Sequence, residues 1–87
     1  MKKEIWIMGI HITDRMQESQ KVQDILTKYG CSIRTRLGLH EAKEGYCAPS
    51  GLMILELAGD ISERQKLEND LLSLDHIEVK KMVFKQE

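Results

Sequence analysis

The segment EIWIMGIHI at residues 4–12 has a counterpart in LMILELA at residues 52–58, and these two segments decide the fold. Each is rich in β-branched or large apolar residues and precedes a helix-like apolar stripe, which predicts a strand followed by a helix. Moving the first half forward by 45 positions superposes the apolar positions of both units: Ile10, Ile12, Val22, Leu26 and Tyr29 fall on Leu55, Leu57, Leu67, Leu71 and Leu74. The sequence therefore indicates an internal duplication.

A second strand completes each half, at residues 31–40 and residues 76–84. We predict the first helix over residues 14–29, ended by Gly30, and the second from Ser62, with Gln65 three residues later in a capping-box pattern. Two βαβ units in tandem predict a ferredoxin-like α+β sandwich. This βαββαβ fold has a four-stranded antiparallel sheet of order 4-1-3-2 and two helices on one face. The 87 residues are expected to form a single domain.

The two strands placed in the centre of the sheet are apolar on both faces. In the first strand, Ile5 and Ile7 alternate with Trp6 and Met8. Two helices can cover only one face of such a sheet. The second face would leave apolar side chains in water, although hiding one Leu or Met side chain is worth roughly 1.5–3 kcal/mol.

We expect a second copy of the chain to cover that second face. The predicted interface residues are Trp6, Met8, Met53 and Leu55, and the predicted charged rim is Arg34, Arg36, Glu78 and Lys80. The predicted assembly is a homodimer or homotetramer. The alternative is a monomer with a half-exposed sheet. In that case, the prediction assigns the apolar residues to the wrong face of the sheet.

Composition excludes several classes of function. The chain has 13 Lys and Arg against 14 Asp and Glu, a formal net charge of -1, which weighs against direct binding of nucleic acid. No apolar run approaches the roughly 20 residues that span a bilayer. The two cysteines lack a recognised spacing and no export signal is evident, so we expect reduced thiols and a cytoplasmic location.

The turn after the first strand is the candidate ligand site. Thr13, Asp14 and Arg15 lie where the amides of a helix N-terminus could hold a small anionic or amino-acid effector. Asp14 has a structural alternative, since aspartate is a favoured N-cap.

Residues 41–50 are predicted to form a loop, and His40 and Cys47 beside it are residue types that ligate metals. Their spacing matches no standard site, so no metal and no other cofactor is predicted, and a metal-binding module using His40 and Cys47 is the alternative function. Nothing near Cys47 supplies a recognisable catalytic triad, and we expect no enzymatic activity.

Several segments together resemble a known family. They are residues 10–15 (IHITDR), Tyr29-Gly30, residues 33–38 (IRTRLG), residues 52–57 (LMILEL) and residues 77–80 (IEVK). This pattern resembles the iron-only hydrogenase system regulators, which are ACT-like domains similar to the C-terminal oligomerising domain of nickel-responsive repressors. The resemblance implies a regulatory domain.

Two departures limit what the resemblance implies about ligands. Many ACT domains bind amino acids at an Asp-Arg-Pro-Gly turn, and here Met16 and Gln17 follow Asp14 and Arg15. His40 and Cys47 fall in the region of the repressors' nickel ligands, but Gly38 stands where a paired histidine would be, so nickel sensing does not transfer. The chain has no room for the repressors' DNA-binding segment. We therefore predict a noncatalytic ACT-like regulatory module, for the hydrogenase system or transcription, that oligomerises and senses a small effector.

Overall fold

The computed structural model describes residues 3–13, 15–39, 42–43, 46–47 and 51–86. The elements in chain order are β1 (Lys3–Ile12), α1 (Arg15–Lys28), β2 (Ile33–Leu39), β3 (Ala42–Lys43), β4 (Tyr46–Cys47), β5 (Gly51–Leu57), α2 (Ile61–Leu72) and β6 (Ile77–Gln86). A short 3-10 turn, Gly30–Ser32, joins α1 to β2. In the described residues, neither α1 nor α2 is long and apolar enough to cross a membrane.

The four long strands form one antiparallel sheet in the order β2-β5-β1-β6. This is the predicted order 4-1-3-2, with the two apolar strands in the centre, and the ferredoxin-like α+β fold is confirmed. β3 and β4 form a separate two-stranded sheet within the segment predicted to be a loop, with Ala42 opposite Cys47. Strands of two residues are too short to show the alternation by which a strand is recognised.

The core lies between this sheet and the two helices. Its members from the predicted stripes are Val22 and Leu26 from α1, Tyr29 directly after α1, and Leu67 and Leu71 from α2. Tyr29 also joins the helices through a polar contact, because its hydroxyl donates to Asp70 Oδ2 at 2.9 Å. The apolar periodicity of the sequence is thus the packing face of each helix.

β2 contains a register shift between Ile33 and Thr35. Ile33 pairs with Leu57 and packs against the core, whereas Leu37 pairs with Ile54 and is 52% exposed. One extra residue in a strand reverses the face of every side chain beyond it. The prediction that residues 31–40 bury one continuous face was therefore wrong at Leu37.

The start of α2 also differs from the predicted capping box. Asp60 is the N-cap, and its Oδ1 accepts hydrogen bonds from the Ser62 amide and the Ser62 hydroxyl, both at 2.8 Å. These hydrogen bonds from Ser62 hold the pKa of Asp60 below its usual value. Aspartate and serine are both favoured N-cap residues, so only the backbone conformation shows that Asp60, and not Ser62, caps α2.

Replacing Asp60 by alanine is expected to lower the melting temperature at about pH 7, because α2 loses its cap. Asp60 has a lowered pKa in the folded state. Its stabilisation is therefore present above the ordinary aspartate pKa and is lost as the pH falls through the folded-state pKa. Thermal scans should show the difference from wild type shrinking as the pH falls below the ordinary aspartate pKa of about 3.9.

Asp60→Asn is the matched control, because asparagine keeps a capping oxygen and carries no charge. It should remain closer to wild type than Asp60→Ala at about pH 7. A deficit for Asp60→Ala that stays constant across the titration would contradict the assigned role of the carboxylate.

Candidate functional site

One face of the sheet carries no helix, and it is largely apolar. This open face consists of Ile5 and Ile7 from β1, Leu37 from β2, Leu52 and Ile54 from β5, and Met82 and Phe84 from β6. The pairing places them on one side, since Ile5 lies opposite Phe84 and Ile7 lies opposite Met82. They alternate along the strands with core residues such as Trp6 and Met8.

The side chains of the open face are accessible to a partner. The exposed fractions of Leu37, Leu52, Met82 and Phe84 are 52%, 39%, 56% and 51%. Ile5, Ile7 and Ile54 are half-buried between these neighbours. Apolar side chains gathered on one surface, rather than scattered singly, are typical of an interaction site.

The four residues predicted for the interface lie on the opposite face. Trp6, Met8, Met53 and Leu55 are core residues, with exposed fractions of 3%, 0%, 9% and 0%. They offer a second copy no surface, so the interface prediction named the wrong face of the central strands. Both parities of these strands are apolar, and the position of the helices decides which parity is buried.

Trp6 shows how the covered face accommodates charge. Its ring lies beneath Lys81, whose Nζ is 4.0 Å from the ring centroid and 2.9 Å from Glu68 Oε1 on α2. The Trp6 indole nitrogen donates to Glu4 Oε1 at 2.9 Å. Lys81 interrupts the apolar pattern of β6 without leaving a charge unpaired.

Polar side chains border the open face on both sides. On β6, Glu78 lies 3.9 Å from His11 Nδ1 and 4.0 Å from Lys80 Nζ. Beside β2, Glu56 accepts a hydrogen bond from Thr35 at 2.9 Å and lies 3.5 Å from Arg34 Nη1. Such exposed pairs contribute only about 0–1 kcal/mol each, so their main effect is to delimit the apolar area.

Arg36, the fourth residue of the predicted rim, belongs to the other face. Its guanidinium contacts Gln23 on α1. The register shift in β2 explains this difference, because it reverses the face of every residue that follows it.

The predicted effector turn is described only in part. Asp14 lies outside the described residues, and Arg15 begins α1 with no described side chain. The amide and the hydroxyl of Thr13 both donate to the carbonyl oxygen of His76, at 2.9 and 3.1 Å. His76 has a left-handed φ of 60°. Thr13 thus connects the turn after β1 to the turn that precedes β6. The effector site at Thr13, Asp14 and Arg15 stays a prediction.

The candidate metal ligands fall largely outside the described part of the chain. His40 is not among the described residues, and Cys47 lies in β4 without a described side chain. Over the residues that are described, no three His, Cys, Asp or Glu side chains gather in a geometry suited to a metal.

Sequence reasoning missed two buried charged residues, Glu18 and Arg64, which are 3% and 6% exposed. Glu18 Oε2 and Arg64 Nε have no hydrogen-bond partner among the described residues. Helical spacing could have found both positions. Glu18 lies four residues before Val22, and Arg64 three before Leu67, so each continues an apolar stripe of its helix.

Comparison with known proteins identifies structural relatives only. No family profile matches the chain. No curated protein matches it. An uncharacterized protein of Thermotoga maritima, TM1266, is 21% identical, with a TM-score of 0.79 over 97% of this chain and 99% of that one. CPII, a nitrogen regulatory PII-like protein from Thiomonas intermedia K12, solved with ADP, AMP and bicarbonate, is 10% identical, with a TM-score of 0.65 over 100% and 97%.

The same fold also occurs inside an enzyme. A formyltetrahydrofolate deformylase from Pseudomonas putida KT2440 is 11% identical, with a TM-score of 0.56 over 90% of this chain and 28% of that one. These similarities establish the ferredoxin-like fold, which is compatible with a regulatory domain. Because one fold hosts many functions, the function has to be argued from the residues of this chain.

Proposed function

We propose that this chain is a noncatalytic regulatory domain that assembles with copies of itself through the open face and binds a small effector. The observation that carries the proposal is the open face itself. Leu37, Met82 and Phe84 are each more than half exposed, and Leu52 is 39% exposed. Covering one such side chain is worth roughly 1.5–3 kcal/mol, so a partner that hides several of them gains substantially.

The chemistry of the border favours a second copy as the partner. The open face is flanked by cations and carboxylates together, with Lys80 and Glu78 on one side and Arg34 and Glu56 on the other. Because the rim carries both positive and negative charges, two copies of this surface can face each other without net electrostatic repulsion. In a two-fold arrangement the same patch is used on both subunits, which gives a homodimer, or a homotetramer if a second, different contact joins two such dimers.

The effector part of the proposal places the ligand at Thr13, Asp14 and Arg15, where α1 begins. The CPII complex with ADP, AMP and bicarbonate is a precedent for small anions bound by a regulatory protein of this fold. An effector would act through unequal affinity for two arrangements of the subunits. The resemblance to iron-only hydrogenase system regulators supports a regulatory role in that system, and the two cysteines without a recognised spacing support a cytoplasmic location. Any DNA contact would then come through a partner protein.

Light scattering at micromolar protein concentration tests the assembly. We expect two or four times the mass of the single chain. A strict monomer would contradict self-association through the open face.

A thermal-shift screen of amino acids, nucleotides and metal salts tests the effector. A ligand that binds only the folded protein stabilises it by about 2.7 kcal/mol at 100 times its dissociation constant, so a selective ligand should raise the melting temperature. If no compound shifts the transition, the effector part fails while self-association can still hold.

A further inference from the structure

The start of α2 faces a cleft at the opposite end of the sheet from the Thr13 turn. The cleft has a volume of about 600 Å³, and its lining includes Lys3 at the start of β1, Ala58 directly after β5, the turn residue Gly59, and Ile61 and Arg64 of α2. Pockets of roughly 300–1,000 Å³ are the usual size for small-molecule sites. Under the internal duplication, Ala58, Gly59 and Asp60 correspond to Thr13, Asp14 and Arg15.

Arg64 is the unusual group in this cleft. It is only 6% exposed, and its two terminal nitrogens donate to neutral acceptors, the carbonyl oxygens of Glu4 at 2.8 Å and Gly59 at 2.9 Å. Its Nε has no acceptor, and no carboxylate of the described residues forms an ion pair with it. The Nε atom is itself buried, but each terminal nitrogen carries a second N–H that these carbonyls do not use. A buried charge without a counter-ion is costly, so an anion in the cleft that contacts the terminal nitrogens would supply the missing negative charge.

The other charges of the cleft leave an excess of positive charge. Lys3, Arg34 and Arg64 face two carboxylates, Glu4 and Glu56. Both carboxylates are already engaged, Glu4 by the Trp6 indole and Glu56 by Thr35 and Arg34. Three cations against two anions leave a formal charge of +1.

The amides at the helix start do not bind the anion in this arrangement. Asp60 already accepts from the Ser62 amide and occupies the N-terminal end of α2. The recognition therefore depends on the side-chain cations, above all Arg64, and not on the helix terminus.

The walls of the cleft define the rest of the ligand. Ala58 and Ile61 contribute apolar surface beside the cations. Gly59 has a left-handed φ of 80°, and its carbonyl holds Arg64 in place, so the turn that positions the guanidinium requires glycine. We infer that this cleft binds a small organic carboxylate with a short aliphatic part, whose carboxylate lies against Arg64 and whose chain lies against Ala58 and Ile61. This inference does not depend on self-association or on the Thr13 turn.

The test is an NMR titration of the ¹⁵N-labelled protein with isovalerate, its neutral amide isovaleramide, and inorganic phosphate. We expect isovalerate to shift the amides of Ala58, Gly59 and Ile61, and both isovaleramide and phosphate to bind at least about tenfold more weakly, since each lacks either the charge or the apolar part. Equal binding of the amide would overturn the charge assignment, and equal binding of phosphate would overturn the apolar assignment. No shift with isovalerate overturns the inference as a whole.

Amino-acid substitutions test whether isovalerate binds in this cleft beside Arg64. Arg64→Gln should weaken isovalerate binding by at least about tenfold. Lys66→Gln removes an exposed cation of the same helix that does not line the cleft, and it should leave the affinity within about twofold. Because Arg64 also holds two backbone carbonyls, its variant could lose stability. The double variant Lys3→Gln with Arg34→Gln changes only exposed residues and should weaken binding about threefold or more. Unchanged affinity in a folded Arg64→Gln protein, or in the double variant, would contradict the inference.

Discussion

Replacing Met82 and Phe84 together by glutamate is expected to convert the assembled protein into monomers that keep the native fold. The two side chains are 56% and 51% exposed and lie on β6, at the edge of the sheet. In the single chain the new carboxylates would be solvated. In a two-fold interface they would be brought close to their symmetry mates without counter-ions, and burying unpaired charge costs several kcal/mol. Light scattering measures the loss of assembly, and far-UV circular dichroism checks the fold.

Leu72→Glu is the matched control for this double variant. Leu72 is as exposed as Met82, at 57%, but it lies on α2, away from the open face. It should leave the mass of the assembly unchanged. Assembly that survives in the double variant would contradict the open face as the interface, and dissociation by Leu72→Glu would point to a helical contact instead.

Leu55→Ala is expected to lower the free energy of unfolding by about 2–5 kcal/mol, the usual cost of emptying a leucine site in a core. Leu55 is 0% exposed in the single chain. Ile54, its neighbour in β5, lies on the open face and is half-buried. Ile54→Ala should therefore cost the isolated chain clearly less, about 1 kcal/mol.

The comparison should be made by urea denaturation in the Met82→Glu, Phe84→Glu background, so that assembly does not contribute to stability. Equal destabilisation by Leu55→Ala and Ile54→Ala would contradict the assignment of the two faces. If Leu55→Ala dissociated the wild-type assembly without destabilising the chain, the original interface prediction would be restored.

Much of the fold could be predicted because its signal is local and repeated. The apolar stripes of both helices and the two apolar central strands follow from periodicity, and the duplication makes each half support the interpretation of the other. The strand order came from the common arrangement of the ferredoxin-like fold, and the two strands that are apolar on both parities agree with it. Local features were harder to predict where two residues can play the same structural role or where an element is very short. Asp60 and Ser62 can both cap a helix, and the two-residue strands β3 and β4 leave no pattern to detect.

The candidate site depended on contacts between distant residues. Arg64 is buried without a carboxylate partner among the described residues because the backbone of β1 and the Gly59 turn converge on its guanidinium. The position of Arg64 on α2 predicts that its side chain is buried, but it does not predict which groups the guanidinium contacts. Which face Arg36 and Leu37 each occupy likewise depends on a register shift in β2 that leaves no mark in the alternation of the sequence.

By itself the sequence determined the two helices and four long strands, their order and the presence of an apolar sheet face beyond what two helices can cover. Those properties arise from the spacing of side chains along the chain, which is printed in the sequence. Only the tertiary structure decided that Trp6, Met8, Met53 and Leu55 belong to the core and that the open face is Ile5, Ile7, Leu37, Leu52, Ile54, Met82 and Phe84. The physical reason is that both parities of a central strand are equally apolar, so the side on which the helices pack determines which one remains exposed.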